Sequence, residues 1–400
     1  MRNFRFILLG FVILLSAFCN HQDQGKNTRS PGNDPALKIE QVDGVKHIYN
    51  TIHPSGGSIT LELETLIEIS SNKIPSDTQA FFDAAAKDSK QDLFLLDRRA
   101  SRIYKLIPSG KFEKSFLKKG EGPAETRGTV LSFKVSDPNI WASYVTEFCR
   151  FDLDGNFIEK KLFKRQYGLL EHVDEKRFIT SYDTYEGKVK TGQVCALMDT
   201  DENLLMKLYE RRNPDIGYSS IKLEKKDFLF VSSTSPRLCY TYNPFNKLGY
   251  FFYNFDYSIH LVGLDGKVDR IIHKESKPVE ITEADFERIL AGFKRMGWPQ
   301  HYLDAYKKNP PEKFLPVIRK ICLLPRGYFA VIRSLNYEQD EFDIFDPEGR
   351  FIYIIKQGDQ TPDLWDVYFF KDSIGVIIHE DEVDVFKEYK VKNLPHIYPI

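Results

Sequence analysis

Cysteine is scarce in this chain of 400 residues, five in all, and the five are scattered. Beyond Cys19 they are Cys149, Cys195, Cys239 and Cys322, with no C-x-x-C pair and no cysteine–histidine knuckle. That spacing argues against a zinc module and leaves buried free thiols, acting as small hydrophobes, as the expectation. A surplus of one charge is also missing: 56 Lys and Arg stand against 57 Asp and Glu, a net charge of -1. Nucleic-acid binding needs a clustered basic excess, so no nucleic acid is expected as a partner. G-x-S-x-G, H-E-x-x-H and P-loop signatures are absent. Aromatic residues, in contrast, are plentiful. Tyr 21 and Phe 31 suit pleated, half-buried surfaces and point to β structure.

The chain starts with Met1-Arg2-Asn3-Phe4-Arg5, a short basic stretch, followed by an apolar run from Phe6 to Phe18 that ends at Cys19. This has the anatomy of an export signal, and it is shorter than the roughly 20 apolar residues of a membrane span. Leu15-Ser16-Ala17-Phe18-Cys19 resembles the lipobox of bacterial lipoproteins, although Phe18 is bulkier than the small residue usual before the cysteine. The resemblance implies that Cys19 is diacylated and becomes the mature N-terminus. Residues 1–18 are thus expected to be a lipoprotein-type signal peptide. Residues 19–36, nearly devoid of apolar side chains after Cys19, are expected to be a flexible tether. The expected location is the cell envelope, membrane-anchored through lipid, facing the periplasm or the cell surface.

From Asp92 the sequence reads as strand, short loop, alternating strand, tight turn at Pro108-Ser109-Gly110, and alternating strand. The pattern recurs with turns at Asp154-Gly155, Asp201-Glu202-Asn203, Asp265-Gly266 and Pro347-Glu348-Gly349. A unit of about 40 residues holding three or four strands is the signature of a β-propeller blade. Each blade has two apolar faces that only neighbouring blades can cover.

Leu93 to Gly122 resembles an NHL-type propeller repeat, with D-x-x-x-x-R-I at Asp97 to Ile103 and G-x-G-P at Gly120 to Pro123. The wider stretch from Ile39 to Val391 resembles the bacterial six-bladed β-propeller lipoproteins, including TolB-like propellers. The expected fold is all-β: a six-bladed β-propeller over residues 37–400, with blades near 80–117, 130–163, 169–209, 218–273, 316–356 and 366–391. The resemblance implies that Val45–Asn50 closes the ring beside the blade containing Ile374–Ile378. Lys226 to Tyr242 leaves room for an extra blade. Between blades four and five, about 279–313, the pattern changes. Thr282 to Asp285 is capping-box-like, and Phe286, Ile289, Leu290 and Phe293 follow at helical spacing, predicting a small helical insertion.

A propeller gathers side chains on its axis from the innermost strand of each blade. The candidates there are Asp83, Lys134, Glu171, His172, Lys222, Arg319 and Asp366, whose mixed signs suggest a self-paired polar channel. Trp298, Tyr302 and Tyr306 form a candidate surface on the insertion, and Tyr302 and Tyr306 at i, i+4 equally suit a core stripe. The enzymes of similar fold are metal-dependent lactonases and lyases, using carboxylate and Asn ligands or several histidines. The nine histidines here show no blade-periodic spacing. The expectation is therefore a non-catalytic binding or scaffold module with no catalytic residue, no cofactor and no metal, engaging a protein, peptide or glycan in the envelope. The alternative is a metal-dependent propeller hydrolase or lyase acting at the channel mouth.

Overall fold

A computed structural model describes residues 37–76, 79–167, 169–212, 219–222, 227–230, 237–295, 298–308, 310, 313–336, 340–356, 367–380, 383–393 and 397. The repeats fold into a ring of six antiparallel sheets, a six-bladed β-propeller. From the axis outwards, blade one comprises Ala84–Lys87, Leu93–Asp97, Arg102–Leu106 and Phe112–Phe116. Blade two comprises Ser132–Ser136, Asn139–Tyr144, Glu147–Asp152 and Phe157–Leu162. Blade three comprises Glu171–His172, Arg177–Glu186, Val189–Asp199 and Leu204–Arg212. Blade four comprises Leu238–Asn243, Leu248–Tyr253, Ser258–Gly263 and Val268–Lys274. Blade five comprises Lys320–Leu323, Phe329–Ser334, Asp340–Phe345 and Phe351–Lys356. Blade six takes Val367–Phe369, Ile374–Glu380 and Val383–Val391 from the C-terminal end and its outer strand, Leu63–Ser70, from the N-terminal end.

Period 2 explains the ring. In Leu93-Phe94-Leu95-Leu96, the first and third residues pack into the core shared with blade six. The second and fourth pack into the core shared with blade two. A fully buried strand of this kind stabilises both neighbours, at about 2 kcal/mol per large side chain. Four further apolar cores lie between the remaining pairs of successive blades. The D-x-x-x-x-R-I signal has a physical basis as well: Asp97 is fully buried, and its carboxylate accepts hydrogen bonds from Phe81 N (3.0 Å) and Ala100 N (2.8 Å).

Two expectations are corrected. Val45–Asn50 does not close the ring. It pairs in parallel with the outer strand of blade four, Lys46 opposite Arg270 and Asn50 opposite Lys274, and Leu37–Val42 pairs antiparallel outside it. Ser58–Ile59 then lies in parallel on the outer strand of blade five, and Leu63–Ser70 seals blade six against Val383–Val391. The reason is packing: Ile48 fills the core between blades four and five, whereas Ile69 fills the core between blades six and one. The N-terminal segment is therefore a belt across the outer edges of three blades. Second, 218–273 is not one overlong blade. Ser219–Lys222 and Asp227–Phe230 pair as a separate hairpin, and blade four starts at Leu238.

The insertion forms helices at Glu283–Arg295 and Gln300–Lys308 on a short stalk, Val279–Glu280 paired with Phe314–Leu315. Its capping box is formed by Thr282, whose Oγ1 accepts from Asp285 N (3.2 Å), and Asp285, whose Oδ2 accepts from Thr282 N (3.0 Å). Ile289, Leu290, Phe293, Leu303 and Tyr306 form its own small core.

Candidate functional site

Inner strands of successive blades touch one another from blade one to blade six. The Tyr368 hydroxyl, donating to the Asp83 carbonyl at 3.0 Å, joins blade six back to blade one. The axis is thus lined by the side chains that these strands carry. Lys134 of blade two reaches across to blade three. Its Nζ lies 2.5 Å from Glu171 Oε1 and donates to the His172 carbonyl at 2.6 Å, over the Tyr242 ring at 5.6 Å. Three of the seven axial candidates, Lys134, Glu171 and His172, therefore form one cluster at the boundary between blades two and three.

His172 is 2 % exposed. Its ring stacks on Trp141 (centroids 5.1 Å apart, 18° between planes), and Phe148 meets it edge-on at 5.0 Å. Burial, reinforced by the charges of Lys134 and Arg150, lowers its pKa to about 3. A base so weak is neutral at physiological pH and shuttles no proton there. His172 Nε2 lies 3.2 Å from Ser143 Oγ, a serine–histidine contact. Ser143 is equally buried, so the contact is shielded from solvent.

The other candidates separate. Asp83 precedes the inner strand of blade one. Burial pushes its carboxyl pKa up, and Oδ2 accepts from Arg98 N at 2.7 Å. Arg319 precedes the inner strand of blade five, and its Nε donates to Ser334 Oγ at 2.6 Å. Lys222 is not on the inner strand of blade four; it belongs to the separate hairpin, which is a correction. Asp366 lies outside the described residues. Two ionic links were not anticipated. Lys87 of blade one pairs with Glu388 of blade six at 2.6 Å, and Lys274 of blade four pairs with Asp343 of blade five at 3.0 Å, all four almost wholly buried. Tyr257 donates to Asp343 at 2.5 Å. Lys87, the one charge in Ala84-Ala85-Ala86-Lys87, offered a signal, whereas Glu388, Lys274 and Asp343 lie in strands that carry other charges and offered none.

Antiparallel strands alternate in direction, so every outer-to-inner crossover lies at one end of the ring, together with each turn between second and third strands. The insertion (blade four to five) and the paired strands Ser219–Lys222 and Asp227–Phe230 (blade three to four) both lie in such crossovers, and the second helix lies against Ser219–Lys222. The long second and third strands of blade three turn at this same end. On the insertion, Trp298 lies flat on Phe293 (4.2 Å, 8°), Tyr302 meets Trp298 edge-on at 6.4 Å, and exposed His301 lies 4.3 Å from Tyr302. Trp298 and Tyr302 are half-buried. Tyr306 is corrected from surface to core: 1 % exposed, it stacks on Phe286.

Among the described residues, no group of three or more His, Cys, Asp and Glu is placed to hold a metal ion. Cys149, Cys195, Cys239 and Cys322 are free thiols, and burial raises the Cys149 pKa to about 11. No described helix is long and apolar enough to cross a membrane.

These features define a six-bladed propeller with a helical insertion at one end and a Lys134–Glu171 ion pair between the inner strands of blades two and three. Two solved structures are similar to the chain in fold. One is a Bacteroides fragilis protein described as exported, 15% identical, TM-score 0.53, covering 86% of this chain and 100% of its own. The other is a member of the duf4221 family from Bacteroides vulgatus, 12% identical, TM-score 0.54, covering 84% of this chain and 99% of its own. No family model matches the sequence, and no curated protein matches it.

Proposed function

We propose that the chain is an exported, lipid-anchored propeller that binds a peptide or glycan segment at the end carrying the insertion and does not transform it. One observation carries this reading. Of the described axial candidates, Lys134 and Glu171 neutralise each other between blades two and three, whereas the partly buried Trp298 and Tyr302 rings stand on the insertion. Flat aromatic faces suit the apolar face of a sugar or an extended peptide. The export signal and Cys19 support envelope anchoring, and one lipidated cysteine carrying several acyl chains holds a protein firmly at a membrane.

The test is a fluorescence and NMR titration of the purified protein with short peptides and soluble oligosaccharides, comparing wild type with Trp298→Ala. Saturable binding, weakened tenfold or more in the variant and with every ligand recovered intact, supports the reading. Ligand cleavage that stops on chelation, with a metal held through Glu171 or His172, would overturn it in favour of a hydrolase or lyase. Cys19→Ala is expected to move the protein from the membrane to the soluble envelope fraction; unchanged sedimentation counts against the anchor.

A further inference from the structure

The belt meets blade four through two imidazoles, one from each side of the seam. His47 lies on Val45–Asn50, and His273 lies on the outer strand of blade four; both are half-buried. His47 Nδ1 and His273 Nε2 are 3.0 Å apart, with ring planes 15° apart and centroids at 5.2 Å. The rings therefore meet head-on in one N–H···N hydrogen bond, in which one nitrogen donates and the other accepts. Tyr49 stacks on His273 at 4.7 Å and 12°, and the other His273 nitrogen, Nδ1, lies 3.4 Å from Ser258 Oγ.

The charged and titratable neighbours come from three sides. On the outermost strand Glu40 stands opposite His47, and Lys38 takes its carboxylate at 2.5 Å. On the outer strand of blade four, Asp269 is held by Arg270 at 2.6 Å. Toward blade three, Tyr209 meets His260 at 4.7 Å, and Arg211 is paired with Asp256 at 2.5 Å. Each of these three carboxylates already has a cationic partner. His260, one strand farther in, has a pKa lowered by burial to about 4, so it adds no charge at pH 5.

We propose that Leu37–Tyr49 is an acid-released strap, held on blade four while the His47–His273 hydrogen bond lasts and freed when both imidazoles are charged. The first proton leaves the bond intact, because an imidazolium N–H still faces a neutral nitrogen. The second removes the last lone pair and sets two N–H groups and two like charges against each other. The closed pair refuses this proton, whereas the detached hairpin accepts it. Burial and the charge of His47 accordingly hold the His273 pKa below the ordinary value. The closed seam is thus fully favoured above about pH 6.5 and loses ground as the pH falls. One refused proton favours opening by about 30-fold at pH 5.0 relative to pH 7.5. Asn50 is the pivot: its side chain donates to the His273 and Gly349 carbonyls at 3.2 and 3.1 Å and accepts from Phe351 N at 2.9 Å. Opening withdraws Ile48 from the core between blades four and five, which keeps the strap shut at neutral pH.

The experiment is hydrogen exchange of the full chain, read by mass spectrometry at pH 7.5 and pH 5.0 and corrected for the intrinsic pH dependence of exchange. Peptides covering 38–49 report the strap, and peptides covering 93–106 report the ring. Wild type is expected to open its strap at least tenfold more at pH 5.0, while 93–106 stays protected. In His47→Gln and His273→Gln, where only one imidazole of the pair remains, the change is expected to shrink below threefold. The control His301→Gln behaves as wild type. A variant already open at pH 7.5 still reports, because its opening must then no longer depend on pH. Strap protection independent of pH in wild type, acid sensitivity undiminished in both pair variants, or equal loss of protection in strap and ring would overturn the proposal.

Discussion

A methyl group built on Gly155 would lie 2.5 Å from the Phe116 ring, so the turn of blade two rests directly on the outer strand of blade one. The same contact recurs at Gly349, where a methyl group would lie 2.5 Å from Ile272 of the preceding blade. In blade three the equivalent position is Glu202, held at φ 68°. Its carboxylate accepts from Lys164 N at 2.7 Å and from the Tyr167 hydroxyl at 3.1 Å, so a side-chain clamp on the preceding blade replaces the close approach.

Gly155→Ala is expected to destabilise the protein by about 1–3 kcal/mol, because φ is +72° and the new methyl group displaces Phe116. Urea unfolding measures it. A loss below about 0.5 kcal/mol would mean that the turn moves freely against its neighbour.

The belt predicts an order among truncations. A chain starting at Ser58 loses the blade-four hairpin but keeps Leu63–Ser70, so it is expected to remain a monomer with a lowered melting temperature. One starting at Ser71 leaves blade six open along Val383–Val391 and is expected to aggregate or melt without cooperativity. Gel filtration and calorimetry distinguish the two. Similar behaviour of both would contradict closure by Leu63–Ser70.

His172 gives the folded state a distinct acid response. Its folded pKa of about 3 lies below the ordinary 6.5, so the stability it confers is complete above pH 6.5. It falls as the unfolded chain takes up a proton that the folded chain refuses, down to about pH 3. Relative to wild type, His172→Phe is therefore expected to gain about 2–3 kcal/mol between pH 7 and pH 4.5. Denaturant melts at the two pH values decide it; parallel pH curves would exclude a neutral, buried imidazole.

Lys105 is buried among Asp92 (3.3 Å), Glu113 (3.2 Å) and Asp154 (3.2 Å). Burial alone would lower its pKa, yet hydrogen bonds to the three carboxylates outweigh that and raise it. Lys105→Met leaves three carboxylates facing one another, at an expected cost of about 1–4 kcal/mol. Millimolar calcium is expected to restore part of this in the variant and nothing in wild type, because oxygen ligands suit calcium. A melting temperature of Lys105→Met that ignores calcium would show that the carboxylates disperse.

The blade count and the insertion were legible because both are local. Asp97 accepts from Ala100 N within its own loop, the turn glycines reverse the chain within one tight turn, and Thr282 with Asp285 caps a helix in a single turn. Ring closure was not legible. Val45–Asn50 and Leu63–Ser70 both alternate, and the choice between them depends on whether Ile48 or Ile69 fits beside Phe370, Ile377 and Phe386, which lie at the other end of the chain. Lys222 was misplaced for a related reason: periodicity identifies a strand, but not which strand faces the axis. Tyr306 was read as surface because its partners, Phe286 and Phe293, lie on the other helix.

The belt also sets a sequence of events in time. Leu37–Ser70 is made before any blade, yet Val45–Asn50, Ser58–Ile59 and Leu63–Ser70 each pair with a strand from the second half of the chain. These three strands therefore wait for their partners until blades four, five and six exist, and blade six is completed only by returning to Leu63–Ser70. Folding of this kind is dominated by contacts between distant parts of the chain, and such topologies fold slowly. For as long as the waiting lasts, the alternating strand Leu63–Ser70 is an exposed edge-former, which makes chaperone protection most valuable before the C-terminal strands emerge.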